Sequence, residues 1–570
     1  MSLVPSRVPT RLLALTALGP LLLTAACFGS SSKGTTSKGA PSQTKGGVLH
    51  YLSQSDFEHL DPARVSGPAA SDFGRLLYRT LMTYDTKSGT ADTKVVPDLA
   101  ESPGTPSDDA KTWTYKIKKG QKYEDGTEIT AQDVKYGVER TFSADLLEGP
   151  SYYNTLLANA STYKGPYQDK SDFKSVETPD RYTIVFHFAK PFADADYAAA
   201  LTTTAPVPVK KDTGVKYDNR PFSSGPYKIR TYQRGKAIDL VRNPFWDPKS
   251  SPAIGAYPDE VVGELALDGA TIDQRIATGN GEDANAVTDK PNLEPASLQK
   301  YLNNDRYKNF VYKGLDGSTV YSAMNTVRGP FEDIKVRQAF EVAYPLATAR
   351  TAAGGPLVGD FATDVLPPSL TSHQDLDVYG QKANDFKGDP ARAKQMLADA
   401  GYPNGVTITT DVTDTGPASK VAAAVKAALA PAGFELDVKQ IALSNYYDTI
   451  GQPATQPDLV AYAWIPDWPS ASRVIPPLFT CSAIKPQGNH NPSNYCDKGF
   501  DAQVDRALAE TDRSKQEQIW KALDKLLIEE AVVLPRYFGI TTWLYGKSVK
   551  NVRSSLPFGG EIDLANVAVQ

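Results

Sequence analysis

The sequence has few of the side chains that enzymes and metalloproteins most often place at their sites. It contains 3 cysteines and 5 histidines among 570 residues. Three cysteines exclude a small disulfide-built domain and a zinc site of four thiolates. The histidines lack the short spacing of zinc ligands; they are His50, His59, His187, His373 and His490. We therefore expect no bound metal and no cofactor.

The sequence also lacks an excess of either charge. It has 61 Lys and Arg residues against 66 Asp and Glu residues, a net charge of -5. Nucleic-acid binding requires a concentrated excess of basic residues, so we expect no nucleic-acid partner. Hydrophobic residues make up 41% and charged residues 22%, which is typical of a soluble globular protein. The length favours several structural units, because single cores stop growing near about 250–300 residues.

Motifs of the common enzyme classes are missing as well. The sequence has no G-x-S-x-G, no H-E-x-x-H and no G-x-x-x-x-G-K-[ST]. The segment 279–281 (Gly-Asn-Gly) lacks the third glycine of a dinucleotide-binding motif. Carboxylates are abundant, so a glycosidase pair stays open as an alternative, although no residue is indicated for it. We predict that the protein is not an enzyme.

The first residues indicate export. Residues 1–11 carry two arginines and no acid, and an apolar run from Leu12 to Ala26 ends at Cys27. This order is typical of a secretory signal, and the run is shorter than a membrane-spanning helix. Small residues before Cys27 make the segment resemble a bacterial lipoprotein signal, in which the cysteine carries the lipid. We predict a signal peptide over 1–27 with lipidation at Cys27; a plain secreted protein is the alternative.

Residues 28–47 are rich in Ser, Gly, Thr and Lys and have no apolar periodicity. Such a segment cannot bury a core, so we predict a flexible linker. A lipid at Cys27 would anchor the protein to the extracytoplasmic face of the cell membrane through this linker.

The remaining chain alternates short strand patterns with helix patterns, which predicts an α/β protein. Apolar residues alternate in segments 112–117, 182–188 and 434–438, which predicts half-buried strands. Helix signals are clear at Thr130 to Asp133, which form a capping box, and at Asp389-Pro390. A third helix is predicted around Val421, Val425 and Leu429, because apolar residues recur there every four positions.

Several segments, in order, resemble family 5 of the extracellular solute-binding proteins, the oligopeptide, dipeptide and nickel receptors of ABC importers. The matching pieces are 96–102 with 112–134, 225–227 with 242–246, 324–339, and 389–403. The resemblance covers roughly residues 48 to 545. One departure follows Ala343, where the family continues A-I-D-R and this chain has Tyr344-Pro345. A proline there ends or kinks the helix.

The resemblance implies a type II periplasmic-binding-protein fold, with two α/β lobes joined by two chain crossings and an inserted subdomain. By analogy, lobe one comprises 48–79, 204–315 and 536–570, the inserted subdomain 80–203, and lobe two 316–535. Proteins of this type close around a solute and present it to a permease. We expect a monomer.

The segment 457–469 resembles the family segment that lines the cleft. By that resemblance, Asp467 takes the position that binds the ammonium group of a peptide, a charged hydrogen bond worth roughly 1.5–3 kcal/mol. The alternative is that Asp467 only caps a turn. Trp464 and Trp468 either wall side-chain pockets or are core aromatics.

Peptide-binding members hold the ligand carboxylate with an arginine or histidine. Where a dipeptide-type arginine would fall, this chain has residues 417–420, ending in Lys420. Lys420 is a candidate for binding the ligand carboxylate, and a solvated surface lysine is the alternative. The missing arginine argues against a dipeptide ligand. Ser53 and Ser55, after the first predicted strand, are further candidates for ligand contacts.

Cys481 and Cys496 lie in a segment rich in Pro, Gly and Asn. Outside the cytoplasm we expect them to form a disulfide, which would stabilise the fold by roughly 3 kcal/mol.

These observations predict a lipid-anchored receptor that delivers an oligopeptide-like solute to an ABC importer. The alternatives are a receptor for another solute, such as an oligosaccharide or a metal chelate, a secreted hydrolase, or a signalling or adhesion lipoprotein.

Overall fold

The structure is a computed structural model of the chain. It describes residues 42–87, 94–146, 149, 152–289, 292–293, 295–302, 304–414 and 416–570. The predicted signal peptide, the lipidation site Cys27 and the first part of the predicted linker lie outside these described residues. Within the described ranges, no helix has both the length and the apolar character needed to cross a membrane.

The described strands are short, apart from two long ones near the middle and the end of the chain. In chain order they are β1 (Val48–Leu52), β2 (Met82–Tyr84), β3 (Val95–Pro97), β4 (Thr105–Pro106), β5 (Thr112–Lys116), β6 (Val176–Asp180), β7 (Thr183–His187), β8 (Tyr227–Gln233), β9 (Ala237–Arg242), β10 (Glu260–Glu264), β11 (Ala286–Thr288), β12 (Val311–Met324), β13 (Gly359–Phe361), β14 (Val406–Thr413), β15 (Phe434–Ile441), β16 (Leu459–Trp464), β17 (Val533–Leu544), β18 (Val549–Lys550), β19 (Ser554–Ser555), β20 (Glu561–Ile562) and β21 (Ala568–Val569).

The α-helices alternate with these strands, as expected for an α/β protein. They are α1 (Pro68–Leu77), α2 (Ala131–Arg140), α3 (Tyr152–Leu156), α4 (Ala195–Ala198), α5 (Gly269–Thr278), α6 (Pro295–Leu302), α7 (Ile334–Ala343), α8 (Leu346–Ala353), α9 (Pro390–Asp399), α10 (Ala418–Leu429), α11 (Leu443–Ile450), α12 (Ile475–Phe479), α13 (Lys498–Ala509) and α14 (Arg513–Glu529).

Three larger sheets organise the fold. Lobe one is built on a five-stranded sheet of order β11-β1-β10-β9-β8, and lobe two on a six-stranded sheet of order β13-β17-β12-β16-β14-β15. The inserted subdomain is built on a four-stranded sheet of order β4-β5-β7-β6. The sheet of the inserted subdomain packs in one hydrophobic core, and the sheets of the two lobes pack in two cores each. The mixed α/β class predicted from the sequence is confirmed.

Strands β12 and β17 pair with each other and run from one lobe into the other. Tyr312 and Trp543, at one end of the pair, pack into the core of lobe one. Tyr321 and Val533, at the other end, pack into a core of lobe two. The pairing register shifts between Leu315 and Thr319, so the pairing of the two strands is irregular between the lobes. This paired crossing places the ends of the two lobes next to each other.

The sequence signals for individual elements hold in the structure. The capping box forms between Thr130 and Asp133 at the start of α2. Asp389 caps α9, and its carboxylate accepts a hydrogen bond from the Arg392 backbone N–H at 3.0 Å. Pro345 lies between α7 and α8, so the helix is interrupted at the proline as predicted.

The end of the predicted linker is attached to the body. The backbone N–H of Ser42 donates to Asn551 Oδ1 at 2.8 Å, and the Gly46 N–H donates to the Tyr257 carbonyl at 2.9 Å. Composition alone does not reveal these contacts, because they use backbone groups that every residue has. Residues 42–47 therefore belong to the folded part and not to a free linker.

Candidate functional site

One opening in lobe two lies where two parallel strands separate. Strand β14 pairs with β16 at a single position, Thr410 with Leu459. Beyond this point β14 continues along β15, while β16 continues along β12. The gap between the carboxyl-terminal halves of the two strands leads into a cavity of about 310 Å³. Ligands of open α/β sheets commonly bind outside the carboxyl ends of the strands.

Most of the cavity wall is apolar, and tyrosines supply most of its hydroxyl groups. Helix α10 covers one side, and α11 contributes two tyrosines to the rim. The apolar lining includes Val320, Val412, Val421, Val425, Leu436 and Leu459, and the tyrosines are Tyr344, Tyr446, Tyr447, Tyr462 and Tyr537. The Tyr446 hydroxyl crosses the strand gap and donates to the Ala461 carbonyl at 2.7 Å.

Two charged residues line this cavity, Asp411 on β14 and Arg536 on β17. Asp411 is buried, and burial raises the pKa of its carboxyl group, while Lys439 on β15 acts in the opposite direction. The Arg536 side chain forms no ion pair with a carboxylate of the described residues, and its Nε is buried without a hydrogen-bond partner. Burial acts to lower the pKa of Arg536, but the nearby tyrosine hydroxyls outweigh burial and raise the pKa above its ordinary value. The guanidinium therefore stays charged.

Asp467, the predicted ammonium-binding residue, follows β16 but does not line the cavity. Its Oδ2 lies 2.7 Å from Arg473 Nη2 and 2.9 Å from Arg473 Nε. The Asp467 side chain is 32% exposed. Its charge is therefore already balanced within the protein, and a ligand ammonium group would have to share the carboxylate with Arg473.

Arg473 also contacts aromatic rings on both sides of this loop. Its guanidinium carbon lies 4.7 Å from the centre of the Trp468 ring and 5.1 Å from that of Tyr152 in the inserted subdomain. The Trp464 indole N–H donates to the Arg473 carbonyl at 2.6 Å. Trp464 is partly buried and stacks on Tyr462, with ring centres 6.5 Å apart.

Trp468 is fully buried and packs into the core of the inserted subdomain. Its ring meets Tyr152 and Phe192 edge-on, at 5.2 and 6.3 Å between ring centres. Of the two interpretations for Trp468, the structure therefore shows a core aromatic that joins lobe two to the inserted subdomain.

A buried carboxylate lies beside Trp468. Asp194 of the inserted subdomain accepts hydrogen bonds from Ser470, at 2.5 Å, and from Ser472, and it pairs with Arg513 Nη1 at 2.6 Å. Burial alone would raise the pKa of Asp194, but Arg513 and the two serines outweigh it and lower the pKa. We call Asp194, Ser470, Ser472 and Arg513 the junction, because they connect the inserted subdomain with lobe two.

The remaining predicted ligand contacts lie elsewhere. Ser53 is buried in lobe one, where its Oγ lies 2.7 Å from Asp289 Oδ2, and Ser55 is exposed beside it. Lys420 is exposed on α10 and does not line the cavity, although Ala418 and Val421 of the same helix do. The structure therefore does not gather the predicted residues into one site.

Cys481 and Cys496 are joined in a disulfide. The bond closes a loop that contains His490, whose Nδ1 lies 2.8 Å from the Tyr462 hydroxyl. This loop therefore supports one of the cavity tyrosines.

Arg536 was not found from the sequence. One signal was present: it is the only charged residue in the apolar segment 531–538, which otherwise reads as a buried strand. A charge in such a strand needs a partner that the sequence alone does not identify.

Comparison with known proteins agrees with this architecture. Residues 94–486 match the model of the bacterial extracellular solute-binding proteins, family 5 Middle. Heme-binding protein A of Haemophilus influenzae is 26% identical over 91% of this chain and 92% of its own length. Di/tripeptide-binding protein 2 of Pseudomonas aeruginosa is 24% identical over 87% of this chain and 91% of its own length.

A solved structure supports the same assignment. The clavulanic acid biosynthesis oligopeptide binding protein 2 is 34% identical and superimposes with a TM-score of 0.84, covering 93% of this chain and 96% of that protein. The chain therefore belongs to family 5 of the bacterial extracellular solute-binding proteins, the solute receptors of ABC importers.

Proposed function

We propose that the protein binds an oligopeptide-like solute in the cavity of lobe two and delivers it to the permease of an ABC importer. The observation that carries this proposal is the cavity between the parting strands β14 and β16. Past the pair Thr410–Leu459, the facing edges of these strands no longer pair with each other. Strand edges of this kind offer main-chain donors and acceptors to an extended peptide, while pockets beside them take its side chains.

The lining of the cavity supports a peptide over a sugar. Sugars present many hydroxyl groups, which call for many polar partners, whereas valines, leucines and tyrosines form most of this wall. The volume of about 310 Å³ lies at the small end of the usual range of about 300–1,000 Å³ for ligand sites. It suits one or two peptide side chains with the backbone along the strand edges.

The names of similar proteins point in the same direction. One relative is a di/tripeptide-binding protein and the similar solved structure is an oligopeptide-binding protein. Heme-binding protein A is a relative with a different solute, so another solute, including a metal chelate, is the alternative that the experiment below must address.

We also propose that the mature protein is a monomer, anchored outside the cytoplasmic membrane by a lipid on Cys27. The support is the charged and apolar start of the sequence, with small residues before Cys27. Replacing Cys27 with alanine should release the protein from the membrane fraction into the medium, and intact-mass measurement of the wild type should show the added acyl chains.

Native mass spectrometry of the gently purified protein tests the proposed solute. We expect copurified species whose masses fit peptides, and we expect calorimetry with a peptide library to give saturable binding that a matched sugar library does not. Binding of sugars or of heme with no binding of peptides would contradict the proposal. Release of a shortened peptide would instead indicate a hydrolase.

A further inference from the structure

Arg536 differs from Arg473 and Arg513 in having no counter-charge among the described residues. Arg473 pairs with Asp467, and Arg513 pairs with Asp194. Arg536 has no carboxylate partner among the described residues, and its Nε lacks any hydrogen-bond partner. Charged side chains taken out of water are normally paired, because an unpaired one costs several kcal/mol. An arginine left in this state indicates a partner that the chain itself does not supply.

The surroundings of Arg536 place that missing partner in the cavity. Arg536 lines the cavity, and the groups that raise its pKa are the hydroxyls of Tyr344, Tyr537 and Tyr446. Asp411, the other charged residue of the lining, does not act on the pKa of Arg536. Arg536 lowers the pKa of Tyr446 and Asp411 raises it, so one tyrosine of the cavity lies near both a positive and a negative group.

Arg536 also faces the same space as the start of α10. Pro417 and Ala418 line the cavity, yet neither they nor Lys420 supplies a positive charge to it. The cavity therefore receives its positive charge from Arg536 on β17. In the sheet, β12 and β16 lie between β17 and β14.

We propose that Arg536 binds the carboxylate of the solute. This assignment rests on the proposed function, namely that the solute occupies the cavity of lobe two. The planar guanidinium matches a carboxylate with two parallel hydrogen bonds, and the apolar wall strengthens their charge interaction relative to water. The substrate class follows: a peptide or similar solute with a free carboxylate next to an apolar side chain, not an amide-capped or neutral one.

Two small probes test this without requiring the natural solute. N-acetyl-L-phenylalanine carries a free carboxylate, and N-acetyl-L-phenylalaninamide has nearly the same shape without the charge. We expect saturation-transfer NMR titrations to show that the wild type binds the acid at least about tenfold more tightly than the amide, the worth of one charged hydrogen bond. In Arg536→Met the two probes should bind within about twofold of each other.

Two further variants separate the carboxylate contact from general effects. Arg536→Lys keeps the charge but loses the planar pair of donors, so part of the preference should return. Arg506→Met removes one positive charge from an exposed position on α13 and should leave the preference unchanged. Melting curves of each variant show whether it is folded.

The outcomes divide clearly. Equal binding of acid and amide to the wild type, a preference that survives in Arg536→Met, or no binding of either probe at millimolar concentration would each overturn the assignment. A preference for the acid that depends on Arg536, combined with no capture of peptides in calorimetry, would uphold the carboxylate site and reject the peptide as the solute.

Discussion

The junction and the cavity treat charge in opposite ways. At the junction, Asp194 is fully buried and is met by two serine hydroxyls and by Arg513. In the cavity, Arg536 is surrounded by tyrosines and has no carboxylate of the described chain beside it. The junction is thus a completed contact between the inserted subdomain and lobe two, while the cavity is left incomplete.

Under the proposed carboxylate site, this difference separates residues that stabilise the fold from a residue that binds the ligand. Removing a charge from a completed contact leaves its partners without hydrogen bonds and lowers stability. Removing a charge that has no partner relieves the cost of burying it. The same type of substitution should therefore have opposite consequences at the two places.

The largest effect is expected at the junction. Asp194→Ala leaves Ser470, Ser472 and Arg513 without their acceptor, and we expect the free energy of unfolding to fall by about 3 kcal/mol. This is the low end of the range for breaking a buried pair, because the Arg513 side chain is 39% exposed. Urea unfolding of the variant measures the loss.

Asp108→Ala is the matched control, since Asp108 is an exposed carboxylate of the same subdomain. The difference between the variants should also depend on pH. The pKa of Asp194 is lowered on folding, so its contribution is full above the ordinary carboxyl pKa and is lost as the pH falls through the lowered value. Equal free energies of unfolding for the two variants at neutral pH would show that the junction does not stabilise the protein.

An intermediate effect is expected at Asp467. We expect Asp467→Ala to weaken peptide binding by at least about tenfold, if its carboxylate receives the ligand ammonium beside Arg473. Thermal stability should change little, because the Asp467–Arg473 pair is partly exposed. Calorimetry with a peptide that binds the wild type gives the affinity ratio.

Peptides acetylated at the amino terminus sharpen this experiment. They lack the ammonium group, so they should bind wild type and Asp467→Ala alike. An unchanged affinity of the variant for free peptides would instead limit Asp467 to its contact with Arg473.

The smallest effect is expected on the stability of Arg536→Met. No ion pair is lost, and methionine buries an apolar side chain of similar length, so the melting temperature of the ligand-free protein should stay the same or rise. Differential scanning calorimetry checks this. A drop as large as that of Asp194→Ala would show that Arg536 has a structural role and that the comparison fails.

Local sequence patterns predicted the local structure well. Alternation gave β5, β7 and β15, and the capping residues gave the starts of α2 and α9. These signals succeed because they depend on side chains that are close in sequence. The two-lobe fold came from the resemblance, since pairing such as that of β12 with β17 joins residues more than two hundred positions apart.

The site was harder to predict, because its charges are balanced by distant residues. The resemblance gave Asp467 the ammonium-binding position but did not reveal that Arg473 pairs with it. Trp468 was a candidate pocket wall, but it packs into the core of a subdomain from another part of the chain. Arg536 carried a weak signal as a lone charge in an apolar strand. Only the structure shows which charges the chain satisfies by itself.

The neighbouring positions of Asp467 and Trp468 have one more consequence. The Arg473 guanidinium pairs with Asp467 and also lies over the ring of Trp468. A solute that draws Asp467 away from Arg473 would change the charge beside an indole that is sealed from water. Trp468 would then act as an intrinsic optical reporter, whose emission tracks occupancy at the loop without any added label.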